Sequence, residues 1–84
     1  MKNVTVYTMH HCPYCESAKR LLKSRQIEFK EVLIGDDDDA AWEALTKKTG
    51  MKTLPQIFLD DKLIGGFDDL SKVDRKDQLK SFKE

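Results

Sequence analysis

Apolar and polar residues alternate near the start of the chain. Val4 and Val6, with Thr8 extending the row, share one side of an extended segment, and Thr5 and Tyr7 occupy the other. This pattern predicts a first strand. A loop, Met9-His10-His11, leads to Cys12. Pro13 suits the first position of a helix, because the N–H it lacks has no intrahelical partner there. From Ala18 onward, Leu21 and Leu22 give that helix an apolar stripe, while Lys19, Arg20, Lys23 and Arg25 fall on its wet side. Ile27 to Leu33 reads as a second strand with Ile27 and Phe29 on one face. Gly35 then breaks the pattern before four consecutive aspartates, Asp36 to Asp39.

Carboxylates at such a place accept N–H bonds and complement the positive end of a helix dipole, so the run predicts a helix start. A calcium loop would need spaced ligands and a distal glutamate, which a contiguous run lacks. The second helix should carry Ala41, Ala44 and Leu45 inward, with Trp42 at its edge, and stop at Gly50. Gln56 to Leu59, an Asp60-Asp61 turn and Lys62-Leu63-Ile64 form a hairpin pattern closed by Gly65-Gly66. Asp68-Asp69 opens a last helix with Leu70, Val73, Leu79 and Phe82 as its apolar contacts and a break or bend near Asp74. The order β-α-β-α-β-β-α predicts an α/β fold. A parallel first βαβ unit with a right-handed crossover and a later antiparallel hairpin give a four-stranded mixed sheet flanked by three helices.

The chain's 84 residues fit one small domain spanning 1–84. Fifteen basic and fifteen acidic residues cancel to a formal charge of zero. That balance leaves no electrostatic footprint for nucleic acid and argues against an anionic membrane surface as partner. No apolar run reaches the roughly 20 residues that span a bilayer. The opening residues alternate in polarity, unlike a secretory signal, so a cytoplasmic setting is expected. Cys12 and Cys15 are the chain's 2 cysteines. They are too few for a secreted disulfide scaffold and too close in sequence to staple distant segments. In a reducing compartment such a pair points to catalysis or metal binding.

A Cys-x-x-Cys at a strand-to-helix junction has a defined chemistry. The unpaired N–H groups of the first turn and the helix dipole favour thiolate at Cys12, lowering its pKa below the reference value of about 8.5. A thiolate is the species that attacks a disulfide sulfur. Cys15, one turn further in, is shielded and placed to attack the mixed disulfide formed at Cys12. The rival reading takes His10, His11, Cys12 and Cys15 as metal ligands. Structural zinc sites usually draw their pairs from two separated knuckles, however, and Pro13 commits this segment to a helix start. No metal is therefore expected, and both histidines read as solvated loop residues.

Three ordered blocks, Cys12-Pro13-Tyr14-Cys15, Thr53-Leu54-Pro55-Gln56-Ile57-Phe58 and Gly65-Gly66-Phe67-Asp68-Asp69-Leu70, make the chain resemble the dithiol glutaredoxins over essentially its whole length. The resemblance implies a thioredoxin-like fold with sheet order 2-1-3-4 and a cis Pro55 facing the Cys12 sulfur. It implies glutathione as co-substrate, with no permanently bound cofactor, and disulfide-bonded or glutathionylated proteins as partners of a monomer. The cysteinyl segment of glutathione would pair with the Leu54 backbone as an added strand does. Its γ-glutamyl carboxylate would meet the N–H groups near Gly66, Phe67, Asp68 and Asp69, an anion nest that a Gly-Gly before a helix start also suggests. Asp69, with Asp68 close by, would take the γ-glutamyl ammonium. Tyr14 would line the groove, and Thr53 would support the Pro55 loop.

One departure stands out. Many members carry a lysine three residues before the nucleophile, where this chain has Met9. Lys52 is then the candidate cation for the glycyl carboxylate. Two alternatives keep the fold: a redoxin reduced by thioredoxin reductase, and an iron–sulfur or metal-carrying dimer. The block Gly65 to Asp69 argues against the first, and the rigid Pro13 against the second.

Overall fold

In a computed structural model, residues 2–83 are described, so the two ends of the expected 1–84 span lie outside the described residues. The elements are β1 (Val4–Thr8), α1 (Pro13–Ser24), β2 (Lys30–Leu33), α2 (Asp39–Thr49), β3 (Gln56–Leu59), β4 (Lys62–Gly65) and α3 (Phe67–Asp77), followed by a 3₁₀ turn at Lys80–Phe82. The strands form one sheet in the order β2-β1-β3-β4. Its β1–β2 pair is parallel, from Thr5 opposite Lys30 to Thr8 opposite Leu33. The β1–β3 pair is antiparallel, with Val6 opposite Ile57 and Tyr7 opposite Gln56. The β3–β4 hairpin is antiparallel as well. The mixed four-stranded sheet, its order and its three helices match the expectation.

Period-two alternation sends β1 and β3 side chains to opposite faces. Val4, Val6 and Ile57 pack with Ala18 and Leu22 of α1, Leu70 of α3, and Leu79 and Phe82 beyond it. Phe58 packs on the other face with Leu45 of α2, Ile34, Leu54 and both cysteines. Because helices cover both faces, Gln56, Ile57 and Phe58 in succession are buried. The cysteines thus belong to the apolar layer between sheet and α2, at the end of the sheet where β1 runs out.

Three details differ from the sequence pattern. Strand pairing in β2 begins at Lys30, not Ile27. Ile27 N–H instead bonds Leu22 O at 3.0 Å and closes α1. Gln26 adopts the left-handed conformation at φ 60°. The side chains of Ile27 and Phe29 still reach the core, so their spacing gave the correct face but the wrong strand start. Ala44 is exposed. The inward side of α2 runs through the buried Leu45 and the half-buried Ala41, Trp42 and Thr49, and at 3.6 residues per turn Ala44 lies about 110° around the helix from its centre. Finally, α3 does not break at Asp74 but continues to Asp77, and Gln78 and Leu79 then turn the chain with φ of 56° and 60°. Asp74 lies within the helix, where Arg25, the C-cap of α1, holds its carboxylate, Nε to Oδ1 at 2.7 Å.

Candidate active site

Cys12 is the N-cap of α1, with extended backbone, and Pro13 is the first helical residue. This geometry turns the Cys12 side chain back over the first turn, where Cys15 N–H donates to its Sγ at 3.2 Å. A donated N–H and the positive helix end both favour negative charge on that sulfur. On its other side, Sγ lies 3.7 Å from the Leu54 carbonyl. Cys12 and Cys15 are joined in a disulfide, their Cα atoms 5.2 Å apart. Cys12 is 7% exposed and Cys15 only 1%. Cys12 is thus the more accessible of the two.

The Leu54–Pro55 peptide is cis. Beside it opens a groove of about 470 Å³, lined by Tyr14, Met51, Thr53, Leu54, Pro55, Gly66, Phe67, Asp68 and Asp69. The Tyr14 and Phe67 rings lie 6.2 Å apart at 33°. Tyr14 is 64% exposed, so much of that ring is open to a ligand. Gly66 is the N-cap of α3 and has no side chain to cap the helix, which leaves the N–H groups of Phe67 and Asp68 without helical partners. The Asp69 carboxylate accepts from Gly66 N–H at 3.1 Å, so that side chain serves the helix start as well as facing the groove.

Of the residues singled out from the sequence, Tyr14, Thr53, Leu54, Pro55, Gly66, Phe67, Asp68 and Asp69 line this one groove. Lys52 does not line it; it is exposed on the same loop. Met9 is half-buried against the cluster that holds both cysteines, an apolar contact where a cation was looked for. His10 and His11 are exposed. Among the described residues, no group of three or more His, Cys, Asp or Glu side chains is placed to hold a metal ion. No helix among them is long and apolar enough to cross a membrane. Two contributors were missed. Met51 lines the groove directly after the helix-ending Gly50, a position with no periodic signal. Gln56, read as a strand residue, is 1% exposed, and its Nε2 donates to Thr53 O at 3.0 Å and Met51 O at 3.3 Å.

A buried second cysteine one turn behind a capping cysteine, on a sheet of this order, defines a thiol–disulfide oxidoreductase of thioredoxin-like fold. The glutaredoxin family model matches residues 4–64, and the chain belongs to that family. It is 46% identical to Glutaredoxin 3 of Escherichia coli over 79 residues, covering 94% of each chain. A probable glutaredoxin of Synechocystis is 40% identical over 76 residues, covering 90% of this chain and 86% of its own. Among solved structures, a buckwheat glutaredoxin–glutathione complex superposes with a TM-score of 0.86 at 28% identity, covering 96% of this chain and 76% of that one.

Proposed function

We infer that the chain is a glutathione-dependent oxidoreductase in which Cys12 is the nucleophile and Cys15 the resolving thiol. The observation that carries the reading is the Cys12 sulfur, which accepts from Cys15 N–H and lies 3.7 Å from the carbonyl of Leu54, a residue of the groove that Tyr14, Phe67 and the start of α3 also line. In the reduced enzyme the Cys12 thiolate attacks one sulfur of a substrate disulfide, and the other sulfur leaves as thiolate. With a protein disulfide, Cys15 then loses its proton and attacks Cys12 Sγ. The second substrate thiolate is released and the Cys12–Cys15 disulfide forms, so two electrons have passed to the substrate. Two glutathione molecules return those electrons and leave as oxidised glutathione. A glutathionylated substrate needs Cys12 alone: the protein thiol leaves, and a second glutathione frees Cys12.

In this reading the cysteinyl backbone of glutathione pairs with Leu54 beside Pro55, and its apolar edge meets Tyr14 and Phe67. The γ-glutamyl carboxylate takes the N–H groups of Phe67 and Asp68 at Gly66, and Asp69 with Asp68 faces the ammonium. Thr53 supports the loop, and the exposed Lys52 supplies a cation for the glycyl carboxylate from outside the groove. Support comes from the family and from a relative whose structure is a glutathione complex. The protein acts as a monomeric single domain, 1–84, in the reducing cytoplasm, where a free dithiol is maintained.

The test is reduction of a small glutathione mixed disulfide, with glutathione and glutathione reductase supplying electrons, beside a parallel assay with thioredoxin reductase. Rapid glutathione-driven turnover is expected. Turnover with thioredoxin reductase alone would keep the cysteine chemistry and overturn the glutathione assignment.

A further inference from the structure

Gln56 is an anomaly in its strand. The next two residues of β3 are the buried apolar Ile57 and Phe58, yet Gln56 is itself 1% exposed. A buried amide in such a place is unfavourable unless its hydrogen bonds are made. Its neighbours fix which end of the amide faces them: Met51 O and Thr53 O are both acceptors, so the NH₂ must point to them. This leaves Oε1 buried without a partner. The strand gains little from Gln56. The preceding loop gains two hydrogen bonds.

The Thr53 carbonyl belongs to the same peptide unit as the Leu54 N–H. Leu54–Pro55 is the cis bond, so the Thr53–Leu54 peptide is trans, and in a trans peptide the C=O and N–H point to opposite sides. Drawing Thr53 O inward onto Gln56 therefore turns Leu54 N–H outward. Leu54 lines the groove, and among the described residues no backbone acceptor takes that N–H in the loop. The same loop is held at its other end, where Met51 N–H donates to the Thr49 hydroxyl at 3.0 Å and that hydroxyl donates to Leu45 O at 3.0 Å.

We propose that Gln56 is a positioning residue for the reaction: by holding the Thr53 carbonyl it presents Leu54 N–H to the backbone carbonyl of a peptide-like thiol in the groove. The inference rests on the glutathione reading and adds to it the side chain that orients the donor. Gln56 touches no substrate. It acts on docking and leaves the Cys12 thiolate alone.

Gln56→Met keeps the volume and removes both donated bonds. We expect KM for a glutathione mixed disulfide to rise about tenfold with kcat little changed. The pH profile of Cys12 alkylation should stay that of the wild type, which a general loosening of the site would not leave intact. Gln56→Glu is the second variant. Its carboxyl donates to a carbonyl only when protonated, so its KM relative to wild type should climb as pH rises from about 5 to about 8, as ionisation turns attraction into repulsion. An unchanged KM in Gln56→Met, a fall in kcat with an altered alkylation profile, or a pH-independent KM ratio in Gln56→Glu overturns the proposal. Wild-type protein without glutathione-driven turnover overturns the functional reading itself; active wild type with indifferent variants overturns this inference alone.

Discussion

At the scale of single residues, the two cysteines differ by position and not by type. Cys12 caps the helix and receives an N–H, while Cys15 lies one turn inward at 1% exposure. Cys12→Ser should abolish turnover of every disulfide substrate, because a serine hydroxyl is not ionised at working pH and cannot form the mixed disulfide. Cys15→Ser should keep reduction of glutathione mixed disulfides and lose the dithiol route to protein disulfides. Assays of both variants on both substrates check this, and joint loss of both activities in Cys15→Ser would refute the division of labour. The pair was legible from sequence because its spacing and Pro13 already fix a helix start. Met51 was not, since its place in the groove depends on where the chain goes after Gly50. The role of Gln56 was equally hidden, because a carbonyl three residues earlier in sequence leaves no mark in a pattern of side-chain polarity.

At the scale of elements, the junction of β4 and α3 constrains its backbone tightly. Gly65 has φ of +129°, a conformation that side chains other than glycine's rarely adopt. A Cβ there would overlap the Asp69 carboxylate and stand 2.9 Å from Asp69 Cβ. Asp69 in turn accepts from Gly66 N–H, so displacing it frees the first turn of α3. Gly65→Ala should destabilise the fold by about 1–3 kcal/mol and, on the proposed glutathione reading, raise KM for a glutathione mixed disulfide. Thermal melts beside KM measurements read the two effects; a variant with wild-type melting and KM would contradict this account of the junction. The hairpin and the glycine pair were visible in sequence. Boundaries were less so. The start of β2 was misplaced because Ile27 is apolar for the core while its N–H serves the end of α1. Asp74 looked like a helix breaker because its partner, Arg25, is far away in sequence.

At the scale of the molecule, two polar ties fasten α1 to the rest of the fold. Arg25 joins it to α3 through Asp74. At the other edge, Lys19 Nζ lies 2.9 Å from both Glu16 and Glu31, and the buried Thr8 hydroxyl donates to Glu31 at 2.7 Å. The end of β1, the edge strand β2 and the helix that carries both cysteines therefore share one carboxylate. The Thr8 hydroxyl, and after it the Lys19 ammonium, hold the Glu31 carboxyl below its ordinary value of 4.5. A carboxyl with a lowered folded-state pKa binds its proton more readily in the unfolded chain. Its contribution is thus complete above about pH 4.5 and is lost as pH falls through the folded value. Lys19 titrates with the opposite sign: the Glu16 and Glu31 carboxylates raise it above 10.5, so its share persists at neutral pH and is lost only in strong alkali. Glu31 is exposed and its ion pair is screened, so the acid-sensitive part should be about 1 kcal/mol or less. Denaturant midpoints at about pH 7 and about pH 3 should fall further for the wild type than for Glu31→Gln, which begins lower at neutral pH and has no carboxyl to protonate there. Parallel losses in the two proteins would mean that acid unfolds the chain through other carboxylates, and that the Thr8–Glu31–Lys19 tie is no anchor for the helix that holds the redox pair.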